Sequence, residues 1–367
     1  MNPLINDLAQ LGRDIRVPTA LVPLVPVVLI LAALYAILAV TLLLLIKSGR
    51  VTKKTAGFWV FVSPWLIGFV TLTLGPMAYA AYISFTKWTL ITPPRWVGFG
   101  NYSAALHDPL VLQAFKVTLI YALISVPMQV VLCLLVAILM NSKARGIRFF
   151  RTIWYLPSLV TGVPQIVLFL FVFNPEYGLA NDFLGKLGIH GPAWFADPGW
   201  AVPTVALMGL WTIGGNTMLI YLAGLQDVPR YLYEAVSIDG GGPIRQFWSV
   251  TVPQMSPVVF FNLITGIIAA MQTFTQGYVV TSSGEGPSNS LLFYVYYLYE
   301  QAFINFNMGY ASALAWILFI VIMILTVIVF RSSAAWVFYE TEQRRQRRKR
   351  HRRNRRERSS DLAGATA

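Results

Sequence analysis

The chain has 367 residues, of which 56% are hydrophobic and only 12% charged, and its formal net charge is +13. A soluble domain of this size carries roughly 25% charged residues, so this composition excludes an ordinary soluble protein. The single cysteine, Cys133, and three scattered histidines exclude a disulfide framework and offer no metal-ligand spacing. The composition therefore predicts a membrane protein without a cofactor or a metal site.

Seven uncharged, mainly apolar runs follow one another along the chain, and each is long enough to cross the bilayer as a helix. They are Leu21–Ile46, Phe58–Phe85, Val117–Met140, Ile153–Phe173, Trp200–Leu225, Val258–Val280 and Met308–Phe330. The first run is too long for a secretory signal core and leads directly into basic residues. We therefore predict an all-α polytopic bundle of seven helices that keeps its first helix.

Basic residues are concentrated in Lys47–Lys54, in Lys143–Arg151 and in the tail after Tyr339. Alternating crossings place all three stretches on one side of the membrane, which the positive-inside rule identifies as the cytosol. An odd number of helices then leaves the N-terminus outside and the C-terminus in the cytosol. The loop Tyr233–Pro253 falls on the cytosolic side as well.

The tail between Arg344 and Arg358 contains ten arginines and one lysine against a single acid. Such a charge block binds either nucleic acid or anionic lipid. Because no folded nucleic-acid module accompanies it, we predict a disordered cytosolic segment that contacts anionic headgroups, with no nucleic-acid partner.

The seven runs contain no Asp, Glu, Lys, Arg or His. Proton-coupled transporters need ionisable groups at membrane depth, so the energy for any uphill transport is expected to come from outside the chain. Gly240–Gly242 lacks the Lys-Ser/Thr of a phosphate-binding loop, which predicts no ATP site on this chain. A standalone secondary carrier stays open, because some sodium sites use only carbonyl and hydroxyl groups.

Uncharged polar and aromatic residues do occur within the runs, and they are most frequent on either side of the loop. Amides and hydroxyls beside flat aromatic rings suit a neutral, polyhydroxylated solute. The alternative is that the polar groups hydrogen-bond between helices. The residues are Gln129, Gln165, Asn216, Asn262, Gln272, Thr273 and Gln276, with Trp211, Phe274 and Tyr278 nearby.

The loop has a clear local pattern. Pro229 is suited to a helix start, Tyr231–Ile238 is predicted as a short helix, and Gly240–Gly242 stop it. Pro243 is predicted to open a second short helix that Pro253 closes. The expected result is a helix–turn–helix that enters a groove of a soluble partner or, alternatively, lies on the bilayer surface.

The loop resembles the signature of permease subunits of bacterial ABC importers. The matching residues are Glu234, Ala235, Asp239, Gly240, Phe247, Val250 and Pro253, with mild departures at Val236 and Val252. Further matches at Val97–Tyr102, Arg148–Arg151, Leu156–Ser158 and Phe173–Gly178 are similar to the maltose-type, sugar-uptake branch. The resemblance covers about residues 58–330.

The resemblance implies a six-helix type I ABC importer core with one extra N-terminal transmembrane helix, in a bacterial cell membrane. It divides the chain into an extension (1–54), a transmembrane domain (55–335) with a coupling loop at 226–257, and a basic tail (336–367). It implies a transport subunit without catalytic activity that imports a sugar. The expected partners are a second permease, cytosolic ATPases and an external substrate-binding protein. A polyol or glycerol phosphate is the alternative solute.

The resemblance also assigns residues. Glu234 and Asp239 organise the loop and meet the ATPase, Ala235 permits close approach and Gly240 makes the bend, with Arg245 and Pro253 completing the coupling loop. Family substrate positions fall on Thr212, Ile213, Asn216, Gly266, Ala269, Ala270 and Thr273. We expect Asn216 and Thr273 to contribute most, with Thr212, Gln272 and Trp211 beside them. Several positions are small and apolar, so the partner permease is the alternative holder of the sugar.

Overall fold

A computed structural model describes residues 35–36, 40–41, 46–48, 52–142, 144–282 and 289–338. The predicted first helix, Leu21–Ile46, and the basic tail therefore lie outside the described residues, apart from isolated positions. The chain divides into two compact units, Met1–Thr86 and Lys87–Ala367.

Between Lys53 and Ser84 the first unit is one long helical segment. Helix α1 (Lys53–Phe69) passes through a wider turn at Val70–Leu74 into α2 (Gly75–Ser84). The Thr52 hydroxyl caps its start by accepting the Thr55 amide N–H at 3.3 Å. Phe61 and Trp65 are 88% and 67% exposed, as expected for side chains that face lipid.

The described part of the second unit is mainly helical. Short strands lie at Thr86–Lys87 (β1), on the boundary of the units, and at Arg95–Trp96 (β2). The first helices of this unit are α3 (Gly100–His107), α4 (Pro109–Met140), α5 (Ile147–Tyr155), α6 (Val163–Val172), α7 (Leu179–Lys186) and α8 (Pro198–Gly209). The later helices are α9 (Asn216–Asp227), α10 (Arg230–Ile238), α11 (Pro243–Gln246), α12 (Val252–Met271), α13 (Thr275–Ser282), α14 (Tyr294–Tyr299) and α15 (Met308–Trp336).

Helix α4 is the longest and contacts α8, α9, α12 and α14. Asp108 caps its start by accepting the Leu110 amide N–H at 2.9 Å, and Pro109 occupies the first turn, where no amide proton is needed. At its other end the Arg151 guanidinium donates to the Met140 carbonyl at 2.9 and 2.6 Å. A cation at a helix C-terminus complements the helix dipole, so both ends of α4 are fixed.

Two of the predicted transmembrane runs, Ile153–Phe173 and Trp200–Leu225, each contain two helical segments that meet at a bend. The segments Ile147–Leu159 and Val163–Val172 meet at 96°, and Pro198–Thr212 and Asn216–Asp227 meet at 56°. Gly162, immediately before the second segment, has a positive φ of 75°, a conformation that glycine adopts readily and that turns the chain between the two segments.

The two bends pack against each other. A Cβ atom on Gly214 would overlap the Trp154 carbonyl oxygen, and one on Gly215 would lie 2.9 Å from the Ser158 Cβ. Only glycine permits this approach of one backbone to the other. The Tyr155 hydroxyl also donates to the Asn216 side-chain oxygen at 3.3 Å. The bends are therefore part of the packing.

Small buried residues allow the helices of the second unit to approach closely, as is usual inside membranes. Ala114, Ala137, Ala201 and Ala313 are all fully buried. Their helices build two apolar clusters, one around Ala114 and Phe293 and a second around Cys133 and Tyr221. Between helices, the Thr118 hydroxyl accepts the Tyr294 amide N–H at 2.9 Å, which satisfies a buried backbone donor.

Asp108 joins three helices of the second unit at the start of α4. Its carboxylate accepts the hydroxyl groups of Tyr297 at 2.6 Å and of Tyr310 at 2.8 Å. Partial burial opposes ionisation, but these hydrogen bonds and those from the Leu110 and Val111 amides together hold the pKa of Asp108 below its ordinary value. The carboxylate therefore stays ionised and fixes α14 and α15 to α4.

Within the described residues, four helices are long and apolar enough to cross a membrane, and six crossings result if each bent pair counts as one. This number agrees with the predicted six-helix core.

Candidate functional site

The loop between α9 and α12 is a compact helix–turn–helix. Helix α10 ends where Gly240 adopts φ of 75°, and the amide N–H groups of Gly240 and Gly241 donate to Ser237 and Val236 carbonyls at 3.0 and 2.8 Å. These bonds close the helix C-terminus around a left-handed glycine. Pro243 then begins α11, as the sequence predicts.

The inner side of the loop is anchored to the helix bundle. Leu232, Tyr233 and Val236 pack against the cluster around Cys133 and Tyr221. The Tyr233 and Thr251 hydroxyls are 3.1 Å apart, which links α10 to the turn that precedes α12. The loop is thus held on the bundle and is not a free connection.

The outer side of the loop presents charged and apolar groups to the surroundings. Glu234, Ala235, Asp239, Gly240 and Arg245 are all exposed. Three large apolar side chains lie among them: Ile238, Ile244 and Trp248 are 86%, 78% and 65% exposed. A surface that combines exposed apolar groups with both signs of charge is typical of a protein-binding site.

The prediction that Pro253 closes a second short helix was wrong. Helix α11 continues through a wider turn at Phe247–Thr251 directly into α12. Pro253 lies in the first turn of α12. Proline has no amide N–H to donate, and the wider turn that precedes α12 tolerates the missing hydrogen bond. One continuous helical segment therefore runs from Pro243 in the loop to Met271.

A cavity of about 290 Å³ lies between α4, α6, α8, α12 and α13. Five of the residues at family substrate positions line it: Thr212, Gly266, Ala269, Ala270 and Thr273. They come from both sides of the loop in sequence, and the fold brings them to one cavity.

Three residues of the predicted substrate pathway do not line this cavity. Asn216 is exposed and bonded to Tyr155, and Gln272 is exposed at the end of α12. The Trp211 ring packs edge-on against Phe169 at 5.6 Å, and its indole nitrogen is buried without a hydrogen-bond partner in the described structure. A role for these residues in transport stays a prediction.

Of the lining residues on α4, Gln129 was among the predicted polar candidates, whereas Tyr121 and Ser125 were not. Tyr121 and Ser125 line the cavity together with Gln129, and Thr161 joins them from the bend before α6. The spacing of four residues along α4 places Tyr121, Ser125 and Gln129 on one helix face. That spacing was the signal available in the sequence.

A second cavity of about 230 Å³ adjoins the first. The two share Val126, Gln129, Gly266 and Ala269. Neither lining contains an Asp, Glu, Lys, Arg or His residue. Among the described residues there is also no group of three side chains that could hold a metal ion.

These features define a class of protein: a polytopic helical membrane protein with polar internal cavities and an exposed helix–turn–helix loop, as transport permeases have. A protein-family model described as "binding-protein-dependent transport system inner membrane component" matches residues 97–338. The chain belongs to this family of ABC importer permeases, and it is a multi-pass inner-membrane protein.

Several curated relatives carry transported solutes in their names, and two of them illustrate the range. The sulfoquinovosyl glycerol transport system permease SmoG of Agrobacterium fabrum is 36% identical over 70% of this chain and 83% of its own length. The arabinooligosaccharides permease AraP of Bacillus subtilis is 32% identical over 77% of this chain and 90% of its own length.

The fold also matches a solved structure. A bacterial ABC transporter involved in import of the acidic polysaccharide alginate aligns with a TM-score of 0.64, at 19% identity, over 77% of this chain and 96% of the matched chain. This likeness confirms the predicted fold class.

Proposed function

We propose that this chain is the membrane-spanning subunit of an ATP-driven importer for a sugar or oligosaccharide. The names of SmoG and AraP support a carbohydrate-like solute. The proposed partners are a second permease, cytosolic ATPases that bind the loop, and an external substrate-binding protein. The chain itself carries no ATPase site in this proposal.

One observation carries the mechanism. The continuous helical segment from Pro243 to Met271 begins in the loop, and its far end contributes Gly266, Ala269 and Ala270 to the cavity wall. Movement of the loop by an ATPase therefore displaces part of the cavity wall directly. In this mechanism Glu234, Asp239 and Arg245 bind the ATPase, while Ala235 allows close contact.

The orientation belongs to the same proposal. The loop faces the cytosol, the N-terminus lies outside, and the basic tail contacts anionic lipid from the cytosolic side. The sulfoquinovosyl glycerol permease keeps a second candidate solute open, namely a polyol or a glycerol derivative such as glycerol phosphate.

The test is affinity capture of the full chain from its native membrane in mild detergent, followed by ATP-driven uptake in liposomes. We expect ATPase subunits and a second permease to accompany the chain, and carbohydrate uptake to require ATP. Capture of the chain alone, with uptake driven by an ion gradient, would overturn the proposal in favour of a secondary carrier.

A further inference from the structure

Helix α5 and the turn before it are basic and aromatic, and the proposed transport mechanism gives them no role. No Asp or Glu lies between Asp108 and Glu176, so this part of the sequence has no acidic residue of its own. Arg145 and Arg148 are exposed, and none of the hydrogen bonds or ion pairs among the described residues involves their side chains. The chain therefore presents two guanidinium groups that no described acid neutralises.

The inner side of α5 is fixed to the helix bundle. Ile147, Arg151 and Tyr155 are spaced four residues apart and so lie on one helix face. Ile147 packs against the second apolar cluster, and the Arg151 guanidinium donates to the carbonyl of Met140 at the end of α4. The Tyr155 hydroxyl donates to the Asn216 side-chain oxygen at 3.3 Å. These contacts hold α5 in one orientation, which determines what its other side meets.

The outer side of α5 and of the turn that follows it is apolar and exposed. Phe149, Ile153 and Leu156 share one helix face by their spacing and are 67%, 47% and 60% exposed. Phe150 and Trp154 widen this face and are 55% and 45% exposed. Aromatic and aliphatic groups on one face, with arginines beside them, are typical of helices that lie in a bilayer surface.

The contacts of α5 with its neighbours place it near the membrane surface. The uncharged stretch Val117–Met140 of α4 is about 36 Å long by helix geometry, slightly more than the thickness of the hydrocarbon layer. Met140 therefore lies near the boundary between hydrocarbon and headgroups, and its hydrogen bonds with Arg151 keep the middle of α5 there. The segment Ile147–Leu159 runs at 96° to α6, so it crosses the direction of that helix instead of extending it.

We propose that α5 lies in the bilayer surface and binds anionic phospholipid. In this arrangement Phe149, Ile153 and Leu156 contact acyl chains, while Arg145 and Arg148 bind the phosphate groups of the lipid. Two crossings, α6 and the α8–α9 pair, separate α5 from the loop between α9 and α12, so both lie on the same side of the membrane. The proposal goes beyond the transport function and does not depend on the solute.

Charge and depth together favour a lipid as the occupant of this face. Basic groups at a membrane surface attract anionic headgroups, and an apolar helix face gains free energy by entering the acyl-chain boundary. A phospholipid supplies both parts at once, because its charged headgroup and its acyl chains are joined at the depth where the arginines and the apolar face of α5 meet.

Fluorescence quenching by brominated lipids tests the proposal. The full chain, with the subunits that accompany it, is placed in phosphatidylcholine vesicles that contain brominated phosphatidylglycerol or brominated phosphatidylcholine at equal mole fractions. Bromine on the acyl chains quenches a fluorophore only where lipid contacts it. Phe149→Cys carries the fluorophore, and the unaltered chain gives the background because its Cys133 is fully buried.

Two further positions calibrate the measurement. Ser103→Cys, on the exposed side of α3, is the control in water. Ile320→Cys is the lipid reference, because Ile320 is exposed in the middle of α15 and the one basic residue of that helix, Arg331, lies near its end.

We expect both brominated lipids to quench the fluorophore at position 149 about as strongly as at position 320, and neither to quench it at position 103. The affinity for phosphatidylglycerol relative to phosphatidylcholine, from the two quenching curves, should be at least about threefold higher at 149 than at 320. Arg145→Gln with Arg148→Gln should abolish this preference. The matched pair Arg95→Gln with Arg331→Gln, at exposed positions elsewhere, should leave it unchanged.

Three results would overturn the proposal. Absence of quenching at position 149 would show that protein, either the second permease or an ATPase, covers this face. Equal affinity for the two lipids would remove the anionic preference, and a preference that persists without Arg145 and Arg148 would refute their assignment. If Phe149→Cys fails to accumulate, Ile153→Cys takes its place, because Ile153 lies one turn further along the same face.

The same samples keep this proposal separate from the proposed function, because ATPase subunits are captured with the chain or are not. Selective quenching at position 149 without captured ATPases refutes the transport proposal alone. Captured ATPases without quenching at position 149 refute the lipid contact of α5 alone.

Discussion

The loop and the cavity of this permease are built in opposite ways. The loop is a contiguous stretch of about twenty residues whose polar groups face outward, and its shape follows from local signals such as Gly240 and Pro243. The cavity combines side chains from segments more than 150 residues apart, and its polar groups face inward. The loop is thus a local structure, whereas the cavity is a product of the fold of the second unit.

The largest expected effect comes from breaking the loop alone. Gly240→Val forces a β-branched residue into φ of 75°, which costs roughly 1–2 kcal/mol and displaces the exposed surface. We expect normal amounts of the chain in the membrane but loss of ATP-driven uptake in liposomes.

Gly242→Val is the matched control, because Gly242 has φ of −77° and open space around its Cβ position. It should transport almost normally. Equal uptake by the two variants would show that the geometry at Gly240 is not needed for coupling.

The second prediction concerns the bends beside the cavity. Gly214→Ala places a methyl group against the Trp154 carbonyl and is expected to destabilise the protein by about 1–3 kcal/mol. Gly209→Ala, in the same bent pair, meets no atom within 4 Å and should leave the thermal unfolding temperature unchanged or slightly higher. Equal unfolding temperatures of the two variants would show that the close approach at Gly214 does not contribute to stability.

Two adjacent residues at the end of α12 face different surroundings, so they allow a paired test of the cavity. Thr273 is buried and lines the cavity, whereas Gln272 is exposed. Thr273→Val removes one hydroxyl at nearly constant volume and should raise the KM of uptake about two- to tenfold. Gln272→Leu should change it by less than about twofold. The reverse pattern would place the solute path outside the cavity.

The smallest effect is expected at Asp108, which belongs to neither region. Asp108→Asn keeps one acceptor but loses the charge, and should lower the free energy of unfolding by about 1 kcal/mol or less, because the group is only partly buried. Uptake should be unaffected, and loss of uptake would link this end of α4 to transport.

The pKa of Asp108 gives a pH test of the same residue. Because it is lowered in the folded chain, the contribution to stability is complete above the ordinary value of 3.8 and is lost as the pH falls through the folded value. The thermal unfolding temperature of the unaltered chain should therefore fall more in acid than that of the Asp108→Asn variant. Parallel pH curves would contradict the assigned hydrogen bonds.

Features that depend on residues close together in the sequence were predicted well. The short helix at Tyr231–Ile238, its glycine stop and the start at Pro243 were confirmed, because each depends on neighbouring residues. The six crossings followed from hydropathy alone. The error at Pro253 arose because proline is compatible with the first turn of a helix as well as with the end of one.

The cavity was predicted only in part. Thr212 and Thr273 line it, as do Gly266, Ala269 and Ala270, but Asn216 and Gln272 are exposed elsewhere. Asn216 was named from its family position, and on a straight helix it would lie about one turn after Thr212 on the same face. The 56° bend between these residues changes the direction of the later face. Apolar periodicity does not reveal such a bend, since it depends on the contact of two distant segments.

The contact between the two bends also predicts a pattern among homologous sequences. Residues 214 and 215 must be small wherever the backbone at residues 154–158 approaches as it does here. A homologue with a larger side chain at 214 can keep its fold only if the opposite segment is displaced, for example by a change in length near 158–162. We therefore expect these two segments, more than fifty residues apart, to covary across the family. An alignment in which they vary independently would contradict this expectation.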